Sequence, residues 1–287
     1  MKKNYEPKLI LVPGLFLILI LISVVFLLPR YAKADYEISD GSVIGLWHLD
    51  NNSLDSSGNN INGTDSNINY TSSSLGQKAN FNGLNSKIDF SSSTALNLQT
   101  FSEMMIVNLS SSQISKIFLA NFSNTGAVGQ AIGISDATQN KIKFYTERNP
   151  AGSDTLETTI LDSNKDYYIV ATFDGYHKSI YLNGNLVATS SWPYQIGYAN
   201  VSSSLGYLPQ ANSQYLNGSL DEVVFLNKVL TQTEITAIYN NGVFQKICIV
   251  KGCATNVAKS QFQSIWFLIL NAGLLGLTAY FVFKIIN

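Results

Sequence analysis

Apolar residues are packed most densely at the two ends of this chain. Residues 9–28 are apolar at about 17 of 20 positions, and residues 265–283 at about 15 of 19. Each run is long enough, or nearly so, to cross about 30 Å of hydrocarbon as a helix. Lys2, Lys3 and Lys8 precede the first run, Pro29 ends it, and Ala32-Lys33-Ala34 follows with small residues spaced for a cleavage site. These are the parts of a secretory signal, so residues 1–34 are expected to be a signal peptide or an uncleaved anchor. The second run, within residues 263–284, has Trp266 and Tyr280 near its ends and Lys284 after it. That is the pattern of a stop-transfer helix with a short cytoplasmic tail at 285–287.

Between the runs the pattern changes period. Short β-branched and aromatic stretches recur, separated by Gly, Asn, Asp and Ser. Residues 43–47 and 87–90 read as strands, and 141–145 alternates with both lysines on one face. Residues 167–173 are nearly all apolar, as in a strand buried on both faces. Asn183-Gly184 between two such stretches predicts a type I′ hairpin. Residues 220–226 form a last strand. One helix follows: Thr231 and Glu234 fit a capping box, Ile235, Ile238 and Tyr239 share a face, and Gly242 ends it. Many short strands and one closing helix predict a single all-β antiparallel sandwich over residues 35–242, with hydrophobic helices on either side.

Composition sharpens this picture. Charged residues make up 13% of the chain and the formal net charge is −1. Cationic flanks hide an acidic middle: residues 35–262 hold 18 acidic and 12 basic side chains. This balance excludes a nucleic-acid partner, which calls for a basic face. The surface must be solvated largely by Asn, Ser and Thr.

Several segments resemble a known family. Gly45-Leu46-Trp47-His48-Leu49-Asp50, Asp55-Ser56-Ser57-Gly58-Asn59-Asn60 and Asn62-Gly63-Thr64 are similar to the opening of LamG-like jelly-roll domains of the concanavalin A-like lectin/glucanase superfamily. Ala79-Asn80-Phe81-Asn82-Gly83 resembles its next strand, with Asn82 where an Asp is common. Residues 168–175, Tyr181-Leu182-Asn183-Gly184, residues 216–223 and the helix at 230–239 resemble its central hairpin, closing strand and cap. The resemblance implies a jelly-roll fold over residues 41–242. It also implies a structural Ca2+, for which Asp55 and Asp221 match acidic positions of the family pattern. The alternative for Asp55 is a turn residue that accepts backbone amides around Ser57-Gly58.

Catalytic patterns are sparse. Hydrolysis of a glycosidic bond needs two facing carboxyl groups, and no Glu-x-Asp-x-Glu run supplies them. Asp221 and Glu222 are adjacent, so regular alternation points them to opposite sides of a strand. Two histidines, His48 and His177, are too few for a three-histidine zinc site, and no G-x-S-x-G elbow is present. Binding has better candidates: Trp192, Tyr194, Tyr198 and Tyr207 lie in a loop-rich stretch and are expected either to form an aromatic platform for a ligand or to cover the edge of the core. Cys248 and Cys253, in a linker at 243–262, are expected to form a small disulfide outside the cytoplasm, the alternatives being free thiols or an intermolecular bridge.

The reading from sequence is a non-catalytic module at the cell membrane, facing outward and held in the lipid bilayer by its C-terminal helix. It would bind an extracellular glycan or a surface protein. A structural envelope protein and a glycoside hydrolase of the same superfamily are the alternatives.

Overall fold

A computed structural model describes residues 41–90, 94–123, 128–148, 152–198, 202–209 and 211–242. The two apolar runs and both cysteines lie outside these residues. Among the described residues no helix is long and apolar enough to cross a membrane.

Two antiparallel sheets form a sandwich. The strands are β1 (Val43–Trp47), β2 (Gly63–Ser66), β3 (Asn69–Ser73), β4 (Gly76–Asn82), β5 (Lys87–Phe90), β6 (Phe101–Leu109), β7 (Lys116–Ser123), β8 (Val128–Ile134), β9 (Lys141–Glu147), β10 (Ser153–Ile160), β11 (Asp166–Phe173), β12 (His177–Leu182), β13 (Asn185–Ser191), β14 (Ser202–Leu205) and β15 (Asn217–Leu226), followed by helix α1 (Gln232–Gly242). The first sheet runs β13-β12-β11-β6-β15-β4-β3, with β1 also paired to β15; the second runs β10-β9-β8-β7-β14-β5-β2. Inward-facing Phe101, Phe144, Phe173 and Phe225 meet between the sheets, with Phe101 stacked on Phe225 at 5.4 Å. Trp47 is fully buried, stacks on Phe90 at 4.3 Å, and donates its indole N–H to the Ile61 carbonyl. Gly45 precedes it by two residues because a Cβ there would overlap the indole at 2.3 Å.

The apolar strand at 167–173 is buried on both faces for a reason that alternation alone does not give. Ile169, Ala171 and Phe173 face the inter-sheet core, while Tyr168 and Val170 lie under α1 with Leu230, Ile235 and Ile238. Thr231 and Glu234 cap the helix reciprocally: the Thr231 amide donates to Glu234 Oε2 at 2.8 Å and the Glu234 amide to Thr231 Oγ1 at 3.2 Å. Asn183 and Gly184 both have positive φ, 50° and 81°, as a type I′ turn requires. The carbonyl of Gly184 accepts from Gln232 and Thr236, which docks the helix on the hairpin.

The free edge of β1 is covered by the loop that follows it. The Asp55 carboxylate accepts from the amides of Leu46, Ser57 and Ile61 and from the Ser57 hydroxyl. Asn59 donates to the carbonyls of Val43 and Ile44. Edge groups that would otherwise template pairing with another chain are thereby satisfied.

One polar row crosses the interior. Ser203, Asn121, Gln130, Thr146 and Asp154 are register partners in turn across β14, β7, β8, β9 and β10. From the opposite sheet, fully buried Glu103 accepts a hydrogen bond from Gln130, while Glu103 Oε2, Gln130 Oε1 and Thr146 Oγ1 have no hydrogen-bond partner among the described residues. Burial pushes the Glu103 carboxyl up to about 8, against the smaller opposing effect of the Gln130 bond. Asn121 opens an Asn-Phe-Ser glycosylation sequon but is fully buried and donates to the Leu96 carbonyl, so the folded domain does not present it for glycosylation.

Two outcomes follow from these contacts. Asp55→Ala strands three backbone amides and should cost about 2–4 kcal/mol in chemical denaturation, equally with and without chelator. A carboxyl whose folded value is raised contributes stability that is complete below its unfolded value, near 4.5, and is lost as pH rises through about 8. The wild-type melting temperature should therefore fall between pH 5 and pH 9, by roughly 5 °C or more relative to Glu103→Gln, which has no charge to bury.

Candidate ligand-binding site

The site arises where β15 changes partners. Its first half pairs with β4 and its second half with β1, while β6 runs alongside both. Between Asp221 and Val224 the register with β6 slips by one residue, and Glu222 takes a φ of 46°. This bulge overturns the expectation that Asp221 and Glu222 face opposite sides. Both turn outward from the core, where His48 Nδ1 lies 3.0 and 2.9 Å from the two carboxylate oxygens of Glu222. Asp221 is 4% exposed and is pushed up to about 7, chiefly by burial; the charges of Glu222 and Asp50 add to this, and the Ser73 hydroxyl opposes it.

Asp221 forms one wall of a cavity of about 160 Å³ on the outer face of the first sheet. Lys78 of β4, Asp166 at the start of β11 and Ser219 of β15 add hydrogen-bonding groups, and Tyr239 of α1 closes one side. Tyr239 stacks on Tyr168 with centroids 6.1 Å apart, and the hairpin turn at Gly184 packs against its Cβ. Asn108 donates to Asp166 at 2.7 Å, which fixes that carboxylate at the rim. The cavity thus combines a few convergent polar groups, an aromatic wall and a perturbed carboxyl, the features of a small-ligand site.

The residues singled out from sequence are dispersed. Trp192 is 6% exposed and belongs to the inter-sheet core, and Tyr207 is 4% exposed. Tyr207 stacks on Tyr215 at 5.5 Å and donates its hydroxyl to Asp89; burial, with Asp89 adding to it, pushes the phenol up to about 12. Tyr198 packs on the core and donates to the Leu98 carbonyl. Tyr194 is 43% exposed, but the Arg148 guanidinium already covers its ring at 3.8 Å. Trp192 and Tyr194 meet edge to face at 5.2 Å, but Tyr198 and Tyr207 are held by other partners, so the four do not make one open platform.

Asp55 and Asp221 share no partner either. Asp55 is committed to its own loop, whereas Asp221 accepts from the Glu222 amide and faces Ser73. Among the described residues no group of three or more His, Cys, Asp or Glu side chains is placed to hold a metal. The two aspartates thus do not fit a common calcium site. Lys78, Asp166 and Tyr239 carry no local signature in sequence, because the cavity exists only once β4, β11, β15 and α1 meet.

Comparison with curated proteins finds no match. Solved structures of similar fold include domain 4 of AbnA, a GH43 extracellular arabinanase from Geobacillus stearothermophilus, in complex with arabinotriose (TM-score 0.57, 16% identity, 69% of this chain and 98% of that one). The binding domain of Paraclostridial Mosquitocidal Protein 1 aligns with a TM-score of 0.58 and 14% identity over 69% of this chain and 52% of that one. The binding domain of botulinum neurotoxin serotype G aligns with a TM-score of 0.55 and 18% identity over 69% of this chain and 50% of that one. The chain thus spans nearly all of the arabinanase domain and about half of each toxin domain. At these identities the likeness establishes the fold. Residues 55–236, more than half of the chain, match the Laminin_G_3 family model, and the protein belongs to the concanavalin A-like lectin/glucanases superfamily.

Proposed function

We propose that the domain is a non-catalytic recognition module that holds one residue of a glycan in the cavity bounded by β4, β11, β15 and α1. The observation that carries this reading is the cavity itself, with Lys78, Asp166, Ser219 and Asp221 around the Tyr239 wall. Its volume of about 160 Å³ lies below the ~300–1,000 Å³ usual for drug-sized ligands. That size suits a sugar ring better than the broad face of a protein partner. Amine, hydroxyl and carboxyl groups match the donors and acceptors on a sugar, and the aromatic wall matches its apolar face. The arabinanase domain of similar fold was solved with arabinotriose, which favours the same ligand class here.

A non-catalytic role is favoured by how the carboxylates are used. Glu222 is engaged by His48, Asp166 by Asn108 and Asp50 by the Gln77 amide, so among the described residues these carboxylates near Asp221 are already held by protein partners. Presentation outside the cytoplasm on a membrane anchor is part of the same proposal and rests on the apolar runs at 9–28 and 265–283.

Calorimetric titration of the full chain against arabinotriose and a panel of other oligosaccharides tests the proposal. Saturable binding to at least one is expected, with Lys78→Ala and Asp166→Ala each weakening it about tenfold or more, near 1.4 kcal/mol. No reducing ends should be released. Binding that is absent across the panel, or unchanged in both variants, would overturn the assignment, and reducing-end release would make the domain an enzyme.

A further inference from the structure

Lys178 stands on β12 in the inward register that it shares with Ile180, and its side chain has no exposed surface. Its Nζ reaches β10 in the opposite sheet and lies 2.7 Å from Asp154 Oδ2. That oxygen is itself buried and takes part in no aligned hydrogen bond among the described residues. The hydrogen bonds of the amine go instead to the main-chain carbonyls of Asp154 at 2.9 Å and Phe144 at 3.3 Å. The rings of Phe144 and Trp192 flank Nζ at 5.5 and 5.6 Å. Burial is the main influence on Lys178 and draws its amine below the usual lysine range, with Asp154 opposing. A nucleophilic amine, itself shielded from bulk water, is thus held within van der Waals reach of a carboxyl group whose side chain is 32% exposed.

We propose that Lys178 and Asp154 condense into a side-chain amide that joins the two sheets covalently. The ammonium first gives up a proton to the carboxylate. The amine lone pair then adds to Asp154 Cγ, forming the C–N bond. One Cγ–O bond breaks, and that oxygen leaves as water, carrying the transferred proton and a second proton from nitrogen. An ammonium and a carboxylate thereby become one secondary amide and one water, with no oxidant, reductant or activated donor needed. Two features favour the product. The reacting groups are positioned as an intramolecular pair, which replaces the entropy cost of an encounter. Condensation also removes the charge of a fully buried ammonium, whose desolvation a half-buried carboxylate offsets only in part.

The mass of the purified full chain, measured denatured and reduced, tests this directly. Wild type should be lighter by one water than its composition requires, and the deficit should vanish in Asp154→Ala and in Lys178→Arg, which keeps the cation but cannot form this amide. Comparing wild type with the variants cancels any trimming of the chain ends. A wild-type mass without the deficit would show a non-covalent ion pair and overturn the proposal, whether or not either variant folds. A deficit that persists in both variants would place the lost water elsewhere and overturn it equally.

Discussion

Strand β15 must satisfy three neighbours, and much of the domain is arranged around that constraint. It hydrogen-bonds to β6 on one side for most of its length, but on the other side β4 serves its first half and β1 its second. A regular strand would keep one alternation throughout and would send Glu222 into the core. The extra residue at Asp221 and Glu222 resets the alternation, so that Leu220, Val223 and Phe225 all reach the inter-sheet core while both carboxylates stay out of it. The left-handed backbone of Glu222 is a local cost of order 1–3 kcal/mol that the surrounding pairing overcomes. His48, immediately after β1, then answers the displaced charge.

The same handover opens the cavity. The cavity lies beside the first half of β15, whereas α1 packs in one cluster with residues of β1, β6, β11, β12 and the second half of β15. The helix is not free to slide. Gln232 and Thr236 hold it to the Gly184 carbonyl, and a Cβ at Gly184 would crowd Tyr239 at about 3.0 Å. A hairpin turn that needs positive φ thus also determines where the aromatic wall of the site stands. Turn chemistry, helix docking and ligand shape are linked through one glycine.

Much of this is legible in the sequence. The strands Val43–Trp47 and Lys87–Phe90, the Asn183-Gly184 turn and the Thr231 capping box are where local pattern placed them, because each depends on near neighbours. Strands such as Gly63–Ser66 and Asn69–Ser73 were not legible. Both pack little side-chain surface into the core and are polar at almost every position, so they offer no alternation to read. The bulge was hidden for another reason: it answers to a competition between β4 and β1 for one strand, which no window of adjacent residues contains. Asp221 was recognisable as a residue of interest, but its surroundings were not, since Lys78, Asp166 and Tyr239 come from distant elements. For Trp192 and Tyr207 the sequence leaves two readings open, because an aromatic in a loop can close a core as readily as it can meet a ligand.

Charge use gives the low charge content a more specific meaning. A surface rich in Asn, Ser and Thr lets the domain be wetted with few ionised groups. Several of the charges that remain are placed where water is scarce: Glu103 and Lys178 between the sheets, Asp221 and Glu222 at the split, and Lys143 beside Asp136. Each such group costs free energy unless it is paired, neutralised or consumed, and the domain shows a different response at each place. Glu103 is held towards its neutral form, Glu222 is matched by a histidine, and Lys178 is pressed against a carboxylate in the opposite sheet. Because a charge-poor exterior contributes little long-range steering, the proposed glycan recognition rests on contact inside the cavity, where buried groups interact more strongly than they would in water.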